Sequence, residues 1–348
     1  MILKIGINMK QKKFKLTLLK AIFFAFILIL TSSVRAELMV VTTIKPLHSL
    51  ISNVMNGVGE PSLIIEGSTS PHSFTLKPSH AKLLEEADII FWIGEGIETF
   101  MEKPLESIVK DAKVVSFMQM DNINKLKFRE KNIFEGHEDH DEEGHENHDE
   151  EGHENHDEEG HEDHDDEGHE DHDEDSDSHN HGEFDAHIWL DPKNAKEMVH
   201  EIAHELSNLD PLNKDKYIDN ADKTILEIDN LIKNINQSIN KDASFVVFHD
   251  AYQYFEKIFG VTSAGALTLN TDALPGAKQI SDIQDVIKEK GVKCIFSEPQ
   301  FNPKIIQTIA EDTDIKIGVF DPLGANIYSD KSLYFSLINN LSENLKDC

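Results

Sequence analysis

The chain has 348 residues and a formal charge of −32, with 65 acidic side chains against 33 basic ones. That balance excludes nucleic acid and anionic membrane surfaces as natural partners and favours cations. Only two cysteines are present, so the fold rests on a hydrophobic core and not on a disulfide scaffold.

The chain opens with Lys10, Lys12, Lys13, Lys15 and Lys20, then the apolar run Ala21 to Leu30, then Thr-Ser-Ser-Val-Arg-Ala36. Basic, apolar and small residues in that order form a secretory signal, and the run is too short to span a bilayer. Residues 1–36 are therefore expected to be removed after Ala36, with export to the periplasm; Met9 is an alternative start. No cysteine lies near the cleavage point, so no lipid anchor is expected.

From Glu37, short apolar runs alternate with helical stretches. Leu38–Thr42, Ser62–Ile65, Ile89–Trp92 and Lys113–Phe117 read as strands. Helices are predicted from Lys45 to Asn56, after a cap at Ser79, and near Ile97 to Lys110. A further helix is predicted over about Asn194 to Asn208. A long polar one follows Asp210-Pro211 to about Asn240, with Ile218, Ile225, Ile228, Leu231, Ile232, Ile235 and Ile239 at helical spacing. Strand runs then resume at Phe245–Phe248, Val261–Ser263, Val292–Phe296 and Ile315–Phe320. This order predicts an α/β fold of two lobes, each a mostly parallel sheet flanked by helices, joined by one long α-helix, with a ligand site in the cleft. The expected boundaries are 37–208 for the first lobe, 209–241 for the linking helix and 242–348 for the second lobe.

The first lobe is interrupted by a charged segment, 135–183. Five copies of an eight-residue unit run from Gly136 to Asp175, each with two histidines: His137 and His140, His145 and His148, His153 and His156, His161 and His164, His169 and His172. His179 and His181 follow. With no Lys or Arg and almost nothing apolar, this tract cannot build a core. Imidazoles beside carboxylates are ligands for Zn²⁺ and its neighbours, so the tract is expected to hold metal weakly; the plainer alternative is a solubilising spacer.

Seven histidines lie outside the tract: His48, His72, His80, His187, His200, His204 and His249. His72 follows the second strand, His187 opens Asp-Ala-His-Ile-Trp-Leu-Asp-Pro, and His249 ends a strand. Asp321 ends another. Two come from each lobe, and three imidazoles with a carboxylate or water form a tetrahedral site suited to Zn²⁺; hydrogen-bonded loop histidines are the alternative. His48 and His80 read as surface residues. His200-Glu201-Ile-Ala-His204 matches the metalloprotease pattern H-E-x-x-H, yet Ser207 and Asp210 stand where its extended form needs Gly and His, so a surface helix is expected. Asp191 and Glu298, each before a proline, read equally as supports of the site or as turn formers. Cys294 and Cys348 are expected to form one bridge, two unrelated thiols being the alternative.

SPHSFTLKPSH (70–80), DAHIWLDP (185–192), FHDAYQYF (248–255), FSEPQF (296–301) and FDPLGA (320–325) together resemble the signature segments of solute-binding proteins of metal-importing ABC transporters, and within them the zinc-uptake branch. The resemblance runs across the mature chain. It implies His72, His187 and His249 as Zn²⁺ ligands, with Asp321 at the position of a carboxylate ligand that water or a loop residue replaces in some zinc members. Manganese members carry Glu where this chain has His249, which points to zinc. Cys294 and Cys348 match a disulfide of zinc-binding relatives. The implied function is non-enzymatic capture of Zn²⁺ for delivery to a membrane ABC permease with its cytoplasmic ATPase, by a monomer without a direct membrane anchor. The alternative is a periplasmic zinc buffer that works without a permease.

Overall fold

The computed structural model describes residues 38–133, 182–269, 276–311 and 313–348. The signal segment 1–36 and the twelve tract histidines lie outside the described residues.

Two four-stranded parallel sheets form the frame. The first contains β1 (Val40–Thr42), β2 (Ser62–Leu63), β3 (Ile89–Trp92) and β4 (Lys113–Ser116) in the order β2-β1-β3-β4. The second contains β5 (Phe245–His249), β6 (Ala266–Thr268), β7 (Cys294–Ser297) and β8 (Lys316–Val319) in the order β6-β5-β7-β8. The central strands read Ile-Ile-Phe-Trp and Phe-Val-Val-Phe-His, and every one of these residues is buried. Continuous apolar runs are what a parallel sheet covered on both faces requires. Both strand orders reverse direction beside the first strand of the sheet, which opens a crevice at the C-terminal strand ends.

The helices are α1 (Lys45–Val54), α2 (Pro78–Glu86), α3 (Glu102–Ser107), α4 (Pro192–Leu209), α5 (Lys214–Ser238), α6 (Gln253–Phe259), α7 (Ala277–Lys290), α8 (Lys304–Ala310) and α9 (Leu333–Asn344). The long helix α5 has 25 residues, about 37 Å at 1.5 Å per residue. Its buried stripe is Tyr217, Ala221, Thr224, Ile228, Leu231 and Ile235, whereas Ile218 is exposed. It packs along α4 and against α1 and α9, so it lies on a helical layer and is not a bare tether. The disulfide Cys294–Cys348 is formed as expected and ties the chain end to β7.

Several boundaries differ from expectation for physical reasons. Lys77, not Ser79, precedes the first turn of α2, because Pro78 takes the first helical position. The stretch predicted as one helix near 97–110 splits into a short 3-10 turn, Thr99–Met101, and α3; Pro104 lacks the N–H needed to continue an earlier turn. Val261–Ser263 is not a strand. Gly260 ends α6 with φ +64°, Val261 N bonds back to Glu256 O, and the chain re-enters the sheet only at Ala266.

Candidate metal centre

Two loops and a strand end deliver histidines to one point. Pro71–Ser73 forms a 3-10 turn beyond β2 and carries His72. His187 precedes the 3-10 turn Ile188–Leu190, which runs into α4; Asp191 caps that helix by accepting from Lys193 N at 2.8 Å, with Pro192 at its first position. His249 is the last residue of β5. The ligand nitrogens of His72, His187 and His249 all lie within 4.8 Å of one another.

Each of the two buried rings is held by a carboxylate. Asp185 Oδ1 lies 2.7 Å from His187 Nδ1 and accepts from His187 N at 2.9 Å. Glu298 Oε1 lies 2.6 Å from His249 Nδ1 and accepts from His249 N at 3.2 Å. A carboxylate can only accept, so Nδ1 carries a proton in each ring, and in the neutral tautomer this leaves the Nε2 lone pair for a metal. The two Nε2 atoms face each other at 3.4 Å. Two imidazole nitrogens on a tetrahedral Zn²⁺, each about 2.0–2.1 Å from it, stand about 3.3–3.4 Å apart. Lone pairs opposed at that distance repel unless a proton or a cation lies between them.

The support extends outward. Asp185 is fully buried; its Oδ2 accepts from Gln253 Nε2 at 2.7 Å and its carbonyl from the Tyr254 hydroxyl at 2.6 Å. Burial, with Asp185 next, raises the Tyr254 pKa, so the phenol stays a donor. Arg129, on the segment before the tract, donates to Asp250 and Glu256 at 2.6 Å each, pinning that segment beside β5. Burial pushes Asp250 up to about 7 although Arg129 opposes it. Trp189, Phe301, Pro322 and Leu323 line the pocket around the three rings.

The other candidates fall elsewhere. Asp321 is not in the cluster. Its Oδ1 accepts from Leu323 N, Gly324 N and Gln300 Nε2, and its Oδ2 from Ala325 N at 2.6 Å. His48 is not a surface residue: α1 is covered on nearly every side, and His48 Nε2 lies 3.1 Å from Pro61 O. Burial lowers its pKa. His80 is half-buried, accepts from Lys77 N through Nδ1 at 3.2 Å and stacks on Phe74. His200 and His204 are both exposed on α4, as a surface helix requires. The group on that helix is Glu201, His204 and Glu205, without His200, and Lys113 Nζ lies 3.1 Å from Glu205. A metalloprotease needs both histidines on one ion, so the motif match is fortuitous. Of the residues before prolines, Glu298 supports the site and Asp191 caps a helix. Asp185 belongs to no recognisable ligand pattern in the sequence; its place two residues before His187 is the available signal.

Residues 40–348 match the family described as ZnuA, zinc-uptake complex component A, periplasmic. The chain belongs to the ZnuA family. It is 49% identical over 311 residues to the high-affinity zinc uptake system protein ZnuA of Brucella abortus, covering 89% of this chain and 91% of the relative. The ZnuA protein of Yersinia pestis is 32% identical over 315 residues, covering 90% and 92%. The periplasmic zinc-binding protein TroA from Treponema pallidum shares the fold, with a TM-score of 0.67 at 18% identity over 90% of this chain and 99% of that one. As a ZnuA-family member the chain captures zinc for import by an ABC transporter, which supplies its permease and ATPase partners. The family is one of periplasmic solute-binding proteins and not of enzymes.

Proposed function

We propose that one Zn²⁺ is held by His72, His187 and His249, with water and not Asp321 in the fourth position, and is carried in this form to the permease. The observation that carries this reading is the 3.4 Å separation of two Nε2 atoms whose rings are each held at Nδ1 by a buried carboxylate. Imidazoles favour Zn²⁺ over the harder Mn²⁺. Function here is binding and release, with no covalent step. Asp321 is read as a loop organiser because both of its oxygens already serve backbone N–H groups. The tract histidines serve as weak accessory sites, since each bound ion must order the chain around it at an entropic cost. The mature chain begins at Glu37 and acts as an unanchored monomer.

Competitive zinc titration of the full-length protein against a chelating indicator tests the ligand set. His72→Ala, His187→Ala and His249→Ala should each abolish the tight site, while His200→Ala and His204→Ala leave it unchanged. A tight site that survives His249→Ala overturns the reading.

A further inference from the structure

The loop after β8 is gripped from both sides by opposite charges. Lys45, the first residue of α1, is buried, and its Nζ donates to Gly324 O at 2.6 Å, Ala325 O at 3.0 Å and Ile327 O at 2.7 Å. On the N–H side of the same loop, the Asp321 carboxylate accepts from residues 323, 324 and 325, and Gly324 makes the turn at φ +67°. The peptide dipoles of the loop thus lie between a cation of the first lobe and an anion of the second. Burial lowers the Lys45 pKa and the Asp321 charge opposes that shift.

A cation in the first turn of a helix opposes the helix dipole, and a buried ammonium is costly even when carbonyls surround it. What the arrangement does is fix a wall of the metal pocket. Pro322 and Leu323 line that pocket beside the three histidines, and Trp189 Nε1 donates to Pro322 O at 2.8 Å. Asp321 precedes both residues, and the geometry that ties its oxygens into the loop keeps them off the histidine cluster.

We propose that Lys45 is a specificity-determining positioning residue: by clamping the 321–327 loop it holds Asp321 away from the metal and so reserves the fourth coordination position for water. This rests on the three-histidine reading above. Without the clamp, the carbonyls of residues 324, 325 and 327 lose their donor and the loop loosens. Asp321 then exchanges its backbone donors for the metal. An added carboxylate oxygen benefits hard, higher-coordinate cations such as Mn²⁺ more than Zn²⁺. Lys45 therefore acts against the wrong metal, although it never touches the right one.

The test is a pair of competitive titrations, with Zn²⁺ and with Mn²⁺ at substoichiometric metal, on full-length wild type, Lys45→Met, Asp321→Asn and the double variant. Lys45→Met should narrow the zinc-to-manganese affinity ratio by about tenfold, the lower end of what losing a supporting partner does to a metal site. Adding Asp321→Asn should restore the wild-type ratio; Asp321→Asn alone, which loses one acceptor of the loop N–H groups, should weaken both metals alike and leave the ratio unchanged. Equal weakening of both metals in Lys45→Met, untouched by the second substitution, would mean that the clamp is only structural and overturns the proposal. If Lys45→Met does not fold, Lys45→Arg, whose planar guanidinium cannot reproduce the three-carbonyl geometry, takes its place with the same expected and overturning results; zinc binding lost in Asp321→Asn to the extent seen in His249→Ala makes Asp321 a ligand already and overturns the proposal. Failure of the three-histidine reading shows separately, as a tight site retained in His249→Ala.

Discussion

Replacing Glu298 by Gln separates the charge of the His249 partner from its shape. Glu298 Oε1 accepts from both His249 Nδ1, at 2.6 Å, and His249 N, at 3.2 Å. The amide oxygen of Gln can accept both bonds in the same place, so ring orientation and tautomer are retained. What disappears is the negative charge that makes the imidazole a stronger donor to metal. Loss of such a partner costs about 10–100-fold in metal affinity, and a shape-preserving change belongs at the lower end, about tenfold or 1.4 kcal/mol. Glu298→Ala differs in kind, because it strands two buried N–H donors at about 1–3 kcal/mol each and lowers the stability of the metal-free protein as well. Zinc competition titrations read the first effect and chelator-treated thermal denaturation reads the second. Unchanged zinc affinity in Glu298→Gln would refute the claim that the carboxylate tunes His249. A loss as large as that of His249→Ala would make Glu298, which also lines the pocket, a ligand itself.

Opening the Cys294–Cys348 bridge removes a closure spanning 54 residues, worth about 4 kcal/mol in the chain-entropy model; denaturant melts of the Cys348→Ser variant should show that loss, and an unchanged midpoint would contradict it. Glu98 is fully buried, and burial pushes it up to about 7 from 4.5. The unfolded chain releases that proton first, so the metal-free protein should lose stability as pH rises from about 4.5 to 7. Glu98→Gln, whose oxygen can still accept from Ile93 N and Gly94 N, should therefore raise the melting temperature at pH 8 and leave it nearly unchanged at pH 5; equal effects at both would count against it. Deleting residues 135–181 should remove weak zinc sites and leave the tight one intact by calorimetry, and loss of the tight site would favour a buffering role for the tract.

Much of the frame was legible because parallel strands announce themselves. Ile89–Trp92 is a continuous apolar run with a single reading, and its observed bounds match the expected ones. His72, His187 and His249 were legible as loop and strand-end residues, because catching a ligand at strand C-termini is a consequence of topology. The pairings between distant residues were not. Asp185 lies next to its histidine in sequence but is fixed by Gln253, 68 positions away, and Lys45 meets a loop 279 positions along. Periodicity carries no record of such bonds. The long helix and most of its face were legible, since Ile228, Leu231, Ile235 and Ile239 are buried; its N-terminal part was not, because Tyr217, Ala221 and Thr224 complete the stripe there and Ile218 is exposed. His48 misleads for a similar reason, since a polar residue reads as surface until the helix carrying it is seen covered by α4, α5 and α9.

The most direct measurement is anomalous diffraction at the zinc edge from crystals of the full-length protein grown with one equivalent of Zn²⁺. A single strong peak should lie between His72, His187 and His249, about 2.0–2.1 Å from each Nε2, with a water and no Asp321 oxygen completing the tetrahedron. A peak at Glu201, His204 and Glu205, or one lacking His249, would contradict the assignment.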